Sequence, residues 1–342
     1  MPHPKRPAPG THTIYTPRAA LPRRRPATSA RLDTRALAAR LTDRDLWLCG
    51  LLHEHRVMTT HQLTALFGIG QRSVNRRLRT LYLLGVLDSF RPLTRSGSAP
   101  EHYVLGRSGA EILAAHHGVE VAATGWRKDT LTRTAFSAHL IHDLGVNTLL
   151  TSLAAHHHDH PEQSLDIWLA ARSAGRLWGD HVRPDAYAHW RCGRHLLPFF
   201  LEYDTGTESL ARVEAKLPGY AALSTSTSSR TPLLLLTCTS AREANLRRRL
   251  ALTADRLDVP MATASLSPNV SAHRLGWLPM DRGVGTRSGL DDLASSWPGL
   301  SPAFTNSTSS MDLVALSTRG PTPWPWRPVP PLPPATPRGG QT

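Results

Sequence analysis

At 342 residues, 40% of them hydrophobic, the chain is long enough to bury two cores, and no apolar run approaches the roughly 18 residues of a membrane-crossing helix. Lys and Arg outnumber Asp and Glu by 40 to 26, giving a formal net charge of +14 that is almost all arginine. The planar arginine fork matches phosphate oxygens, which favours a nucleic-acid partner over an acidic protein or a membrane.

The start, MPHPKRPAPG, has no apolar h-region, so a cytoplasmic protein is expected. Cys49, Cys192 and Cys238 lack CxxC spacing and are expected to be buried thiols, neither a zinc site nor a disulfide framework. Residues 1–40 carry nine Lys or Arg against the single acid Asp33, with scattered prolines. Such a segment buries too little apolar surface to fold alone, and a disordered basic arm is expected, serving either solubility or phosphate contact.

From Leu41 the pattern turns helical. LTDRDLWLCGLLHEHR has a Thr42 cap with Asp43 and Asp45 in its first turn, and TTHQLTALFG starts at Thr59 or Thr60 and stops at Gly68. In QRSVNRRLRTLYLLGVL, Val74, Leu78 and Leu81 make an apolar stripe, while Arg72, Arg76 and Arg79 lie on another face beside Gln71 and Asn75. Two strands follow, Val86 to Asp88 and His102 to Leu105, joined by RPLTRSGSAP with Arg91 and Arg95; RSGAEILAAHHG closes the set. This stretch resembles a winged helix-turn-helix domain over residues 41–118. The resemblance implies that Gln71, Arg72, Asn75, Arg76 and Arg79 meet DNA and that Arg91 and Arg95 track the neighbouring groove.

Residues 119–133 suggest a connector, and Thr134 to Ala155 a long helix containing His142 and Asn147. HHHDH then falls in a loop, where neighbouring side chains point apart and do not make a metal site. LDIWLA, Val182 to Trp190 and His195 to Asp204 suggest three strands with turns at Ala174-Gly175 and Cys192-Gly193. A helix that begins after Thr205-Gly206-Thr207 and runs to about Tyr220, an apolar strand in TPLLLLTC, a helix in AREANLRRRLALTADRL and a strand in PMATASL complete the order. The fold class is α+β, with a mixed sheet flanked by helices in a second domain over 134–270. Residues 271–320 are poorly defined by pattern, and 321–342 suggest an extended, mobile Pro-rich tail.

Strand alternation points Glu202 and Asp204 to one face, with Asp185 on the preceding strand, so three carboxylates stand near one place. Hard oxygen donors of this kind suit Mg²⁺ in phosphodiester chemistry; the plainer alternative is a capped strand-to-helix turn with Thr207 and Glu208. With the helix and strand order, Arg183-Pro184-Asp185 and Glu202 resemble the PD-(D/E)xK nuclease superfamily, a restriction-endonuclease-like core. That resemblance implies catalytic and metal-binding roles for Asp185, Glu202 and Asp204. Asp204 stands where the superfamily's motif has lysine, and Lys216 on the following helix implies its relocation.

The winged helix followed by Glu202-Tyr203-Asp204-Thr205-Gly206-Thr207-Glu208, Lys216 and Tyr220, with His142 and Asn147 in the preceding helix, resembles the replication-relaxation family of actinobacterial and Bacillus plasmid proteins. The resemblance implies a role in replication or relaxation of plasmid or mobile-element DNA, with double-stranded DNA as partner and replication or transfer proteins as further ones. Two outcomes stay open: a Mg-dependent nicking nuclease, or a noncatalytic transcription regulator or replication initiator with a degenerate nuclease-like domain. A third is an adaptor held to a replication complex.

Overall fold

A computed structural model describes residues 20–22, 33–93, 97–257, 259–266, 270–280, 285–297 and 328–335. These form two compact units, one holding the described residues of 15–158, 167–173 and 321–342, the other those of 159–166 and 174–320.

The first unit begins with β1 (Ala20–Pro22) and α1 (Thr34–Ala38). The expected disorder of the arm therefore fails at these residues: Leu21 lies opposite Arg91 on a neighbouring strand, and Leu37 is buried. A segment too polar to fold by itself can still complete its ladder on an edge that another part of the chain provides.

α2 (Asp43–His55) starts at Thr42, whose N–H and hydroxyl both donate to the Asp45 carboxylate at 2.7 Å. The short β2 (Met58–Thr59), not expected from the sequence, leads into α3 (Thr60–Phe67). Thr59 and Gln62 cap that helix reciprocally: Gln62 N–H donates to Thr59 Oγ1 and Thr59 N–H to Gln62 Oε1. Gly68 ends it in the left-handed region at φ 60°, where any Cβ would also stand 2.7 Å from the His158 ring.

α4 (Gln71–Leu83) follows, then β3 (Leu87–Pro92), β4 (His102–Leu105) and α5 (Arg107–His117). The strands form an antiparallel sheet in the order β1-β3-β4-β2. α6 (Thr130–Ala135) and α7 (Leu140–His156) divide the stretch expected to be one helix. Between them the Ser137 hydroxyl takes the His139 N–H at 3.1 Å, a local alternative to the helical ladder.

Sequence pattern put the second domain's start at Thr134, yet α7 belongs to the first unit. Leu140 and Leu144 join Val57, Phe90, Val104 and Ala135 in one core, and Asn147 Nδ2 donates to the Val57 carbonyl at 2.8 Å. Residues 167–173 belong here too: Trp168 stacks on His55 with centroids 3.8 Å apart, and buried Glu54 accepts from Ala170 N–H and the Ser173 hydroxyl. Asn147→Ala is expected to lower the unfolding free energy by about 1–3 kcal/mol, since a buried carbonyl loses its donor. Chemical denaturation measures this, and a loss under about 0.5 kcal/mol would show the bond to be dispensable.

β5 (Gln163–Ala170) and α8 (Ala171–Trp178) span the boundary between the units, and the turn expected at Ala174-Gly175 is part of α8. β6 (Ala186–Cys192) and β7 (His195–Asp204) form an antiparallel hairpin through Gly193. After β7 come α9 (Leu210–Glu214) and α10 (Leu217–Thr227), two helices where one was expected, because Pro218 cannot continue α9 but suits the first turn of α10.

β8 (Leu233–Thr237), α11 (Ser240–Arg256) and β9 (Met261–Ser265) add two strands parallel to β7. β10 (Leu278–Pro279) pairs antiparallel with β9, and α12 (Leu290–Ser296) follows. The sheet order is β10-β9-β8-β7-β6-β5, mixed in direction, and the architecture is α+β. LLLL of β8 is wholly buried, as a central strand covered on both faces requires.

Two expectations are corrected here. Cys49 is buried, but Cys192 and Cys238 sit at strand ends and are partly exposed. The Pro-rich tail, expected to be mobile, has an ordered stretch at residues 328–335, where the Pro330 carbonyl accepts from the Trp47 indole at 2.7 Å. No helix among the described residues is long and apolar enough to cross a membrane.

Candidate functional site

On α4 the two faces separate as the residue spacing requires. Val74, Leu78 and Leu81 are buried, while Gln71, Arg72, Asn75, Arg76 and Arg79 are exposed. Arg77 between them is held differently, its guanidinium donating to the buried carboxylate of Asp45 on α2. Burial alone would raise the Asp45 pKa, but the Arg77 and Thr42 hydrogen bonds outweigh it and hold the carboxyl below its ordinary range. The bond from half-buried Arg77 to buried Asp45 ties α4 to α2 and leaves three other arginines turned to solvent. Arg91 lies on β3 and donates to Glu101 and Ser98, so it is engaged within the hairpin. Arg95 lies outside the described residues.

The acidic site is built on the β6–β7 hairpin. Ala186 pairs with Leu201, and continuing the register places Asp185 opposite Glu202. The chain is held there by Asp185 N–H donating to the Leu201 carbonyl at 3.0 Å and Tyr203 N–H donating to Asp185 Oδ2 at 2.7 Å. Glu202 is buried, and each of its oxygens accepts a hydrogen bond, Oε2 from Lys216 Nζ at 2.8 Å and Oε1 from the Tyr220 hydroxyl at 2.6 Å. Lys216 is the residue immediately before α10, so the helix start aims its ammonium at the strand. It also meets Glu208 at 3.3 Å.

Asp204 shares the face of Glu202 but not its partners. Its carboxylate accepts from Arg242 Nε at 2.7 Å and from Gly206 N–H at 2.8 Å. Arg242 comes from the first turn of α11, so Asp204 tethers that helix to the end of β7. Of the four residues expected at the site, Asp185, Glu202 and Lys216 are brought together, and Asp204 is drawn aside by an arginine that no local pattern marks.

Burial, then the neighbouring Asp185 charge, pushes the Glu202 carboxyl up to about 7, against the opposing pull of Lys216 and Tyr220. Burial disfavours the Lys216 ammonium, yet the charges of Glu202, Asp185 and Glu208 outweigh it and hold the lysine protonated above its usual range. Both shifts move upward because they have different origins: Lys216 keeps a partly exposed charge among carboxylates, while Glu202 is a buried acid that shares a site with another acid. Burial, then the Glu202 charge, pushes the Tyr220 phenol well above its ordinary range, and its hydroxyl stays a donor to Glu202.

Asp185 and Glu202 together offer two hard oxygen donors. Magnesium is commonly held by one or two carboxylates and a substrate phosphate, not by an all-protein cage, so the pair suits it. Among the described residues no group of three or more His, Cys, Asp or Glu is placed to hold a metal ion. Tyr220 is the member of the cluster least marked by chemistry in the sequence; its signal is its position four residues after Lys216 on one helical face.

No curated protein and no solved structure matches the chain. The family model described as Replication-relaxation matches residues 50–233, a span that includes α4 and the whole Asp185, Glu202, Lys216 and Tyr220 cluster, and the chain belongs to the replication-relaxation family.

Proposed function

We propose that this protein binds double-stranded DNA of a plasmid or mobile element through α4, and that Asp185, Glu202 and Lys216 form a magnesium-dependent site that nicks it during replication or relaxation. Family membership supports the process. The order of α2, α3 and α4 followed by the β3–β4 hairpin supports a winged helix, with α4 as the helix that enters the groove.

The observation that carries the cleavage reading is Lys216 Nζ standing 2.8 Å from Glu202 Oε2, with Asp185 opposite in register. This supports a PD-(D/E)xK-like core whose lysine comes from the helix after the strand. Asp185 and Glu202 would hold the magnesium ion, which when bound supplies Lewis-acid polarisation of a phosphate oxygen. Lys216 presents a compact ammonium to charge developing on the phosphate. Tyr220 fixes the orientation of Glu202, and Asp204 positions α11 through Arg242. The test is conversion of supercoiled plasmid to open circles with Mg²⁺ or Mn²⁺; no conversion with either cation would remove the cleavage reading.

A second reading, a noncatalytic regulator or initiator, is favoured by the occupied oxygens of Glu202 and by Asp204 standing in the place of the motif lysine. It requires DNA binding that neither Asp185→Ala nor EDTA alters. Under both readings, single alanine replacements of Arg72, Arg76 and Arg79 are expected to weaken DNA binding. Each lost phosphate contact lowers the slope of log affinity against log salt by about 0.9. Binding isotherms at several salt concentrations measure this, and unchanged slopes in all three variants would move the interface off α4.

A further inference from the structure

α2 is buried at six consecutive positions, Trp47 to Leu52, so it is covered on every side of a full turn. A surface helix ordinarily leaves one face to water. Part of the cover comes from far along the chain. Trp47 Nε1 donates to the Pro330 carbonyl at 2.7 Å, and a Cβ at Gly50 would stand 3.2 Å from Val329 Cγ2. Glycine inside a helix is less stable than alanine, and here its missing side chain makes the seat for Val329. Pro331, the residue after Pro330, is buried.

We propose that this Trp47 and Gly50 face is a binding site for proline-rich segments, and that residues 328–335, PVPPLPPA, are its resident ligand. An indole donor reaching a carbonyl of a proline-rich strand, with apolar side chains seated alongside, is the means by which proline-rich segments are recognised elsewhere. Proline restricts φ before docking, so little backbone freedom remains to be lost. The wall of the site is fixed from behind. Trp47 meets the Phe67 ring edge-on with centroids 5.4 Å apart, and Arg44 lies over that ring and donates to the Phe67 carbonyl at 3.1 Å. Phe67 is the last residue of α3, so the site adjoins the turn that leads into α4.

A labelled peptide of residues 326–337 provides the test, titrated into the intact chain and into a chain whose residues 328–335 are replaced by an equal length of Gly and Ser. A tethered segment has an effective concentration on the order of millimolar, so the peptide is expected to bind the replaced chain at least about tenfold more tightly than the intact one. Gly50→Leu in the replaced chain is expected to abolish binding, because the larger side chain fills the seat. Equal binding to both chains, or none to the replaced chain, would overturn the proposal.

Should the replaced chain not fold, the intact chain can carry a protease site between residues 301 and 327 and be cut after folding. Release of the cut tail by excess peptide supports a ligand, and a tail that no peptide displaces refutes it. An intact chain that dimerises, and becomes monomeric when residues 328–335 are replaced, would assign the segment to a second copy's groove and overturn the internal contact.

Discussion

Asp185→Ala and Glu202→Ala are each expected to reduce nicking of supercoiled plasmid by about 10²–10³-fold or more, since metal-assisted charge stabilisation is worth several kcal/mol and each 1.4 kcal/mol is tenfold in rate. Removing either carboxylate halves a two-donor set, and the remaining oxygen donors are too few to replace it. DNA affinity should stay unchanged, because α4 lies in the other unit and none of its exposed side chains is altered. Lys216→Ala should reduce cleavage while leaving magnesium affinity less affected, as the lysine carries no metal-binding oxygen. If Asp185→Ala nicks at the wild-type rate, the cleavage belongs to another site or to a contaminant, and the assignment of cleavage to Asp185, Glu202 and Lys216 fails.

Stability should fall as pH rises through the Glu202 titration. The carboxyl ordinarily titrates at 4.5 and is pushed up to about 7 in the fold, chiefly by burial. The folded chain therefore holds this proton more tightly than the unfolded chain. Its stabilising contribution is fully present below pH 4.5 and is lost as pH rises through about 7.

Glu202→Gln, neutral at every pH, should remove that component. The quantity to measure is the difference in unfolding free energy between wild type and variant from pH 4 to 8, with EDTA present. The difference is needed because buried histidines tilt the profile the other way: burial lowers His55 to about 3, His102 to about 4 and His189 to about 3. Their contributions are present above pH 6.5 and lost as pH falls through those values. A difference profile that instead rises from pH 4 to about 6 and then levels off would mean Glu202 is ionised in the fold throughout, paired with Lys216 and not sharing a proton.

Much of this was legible locally. Caps at Thr42 and Thr59, the glycine stop at Gly68 and the two faces of α4 follow from residue type and spacing, because helix ends and helix faces are set within four or five residues. The β6–β7 hairpin and the single face of Glu202 and Asp204 follow from strand alternation in the same way. Lys216 was expected from the following helix by resemblance, but the break at Pro218 that places it at the start of α10 was not read from the pattern.

What escaped the sequence depended on partners far along the chain. α7 has an apolar pattern that fits either unit, and Asn147 meeting the Val57 carbonyl decided which. Arg77 has the same chemistry as Arg76, yet a buried Asp45 claims one and leaves the other exposed. Arg242 gave no warning of itself, and it is the reason Asp204 left the acid cluster. The tail was judged by composition, which describes how a proline-rich segment behaves in water and says nothing of a tryptophan positioned 283 residues away.

By itself, then, the sequence determined that a basic two-faced helix precedes an acid-bearing hairpin, since periodicity and charge are local properties. Only the tertiary structure decided which charged group meets which partner. That choice is made by desolvation and by ion pairing between elements distant in the chain, and it reduced three carboxylates to the pair Asp185 and Glu202 with Lys216 beside them.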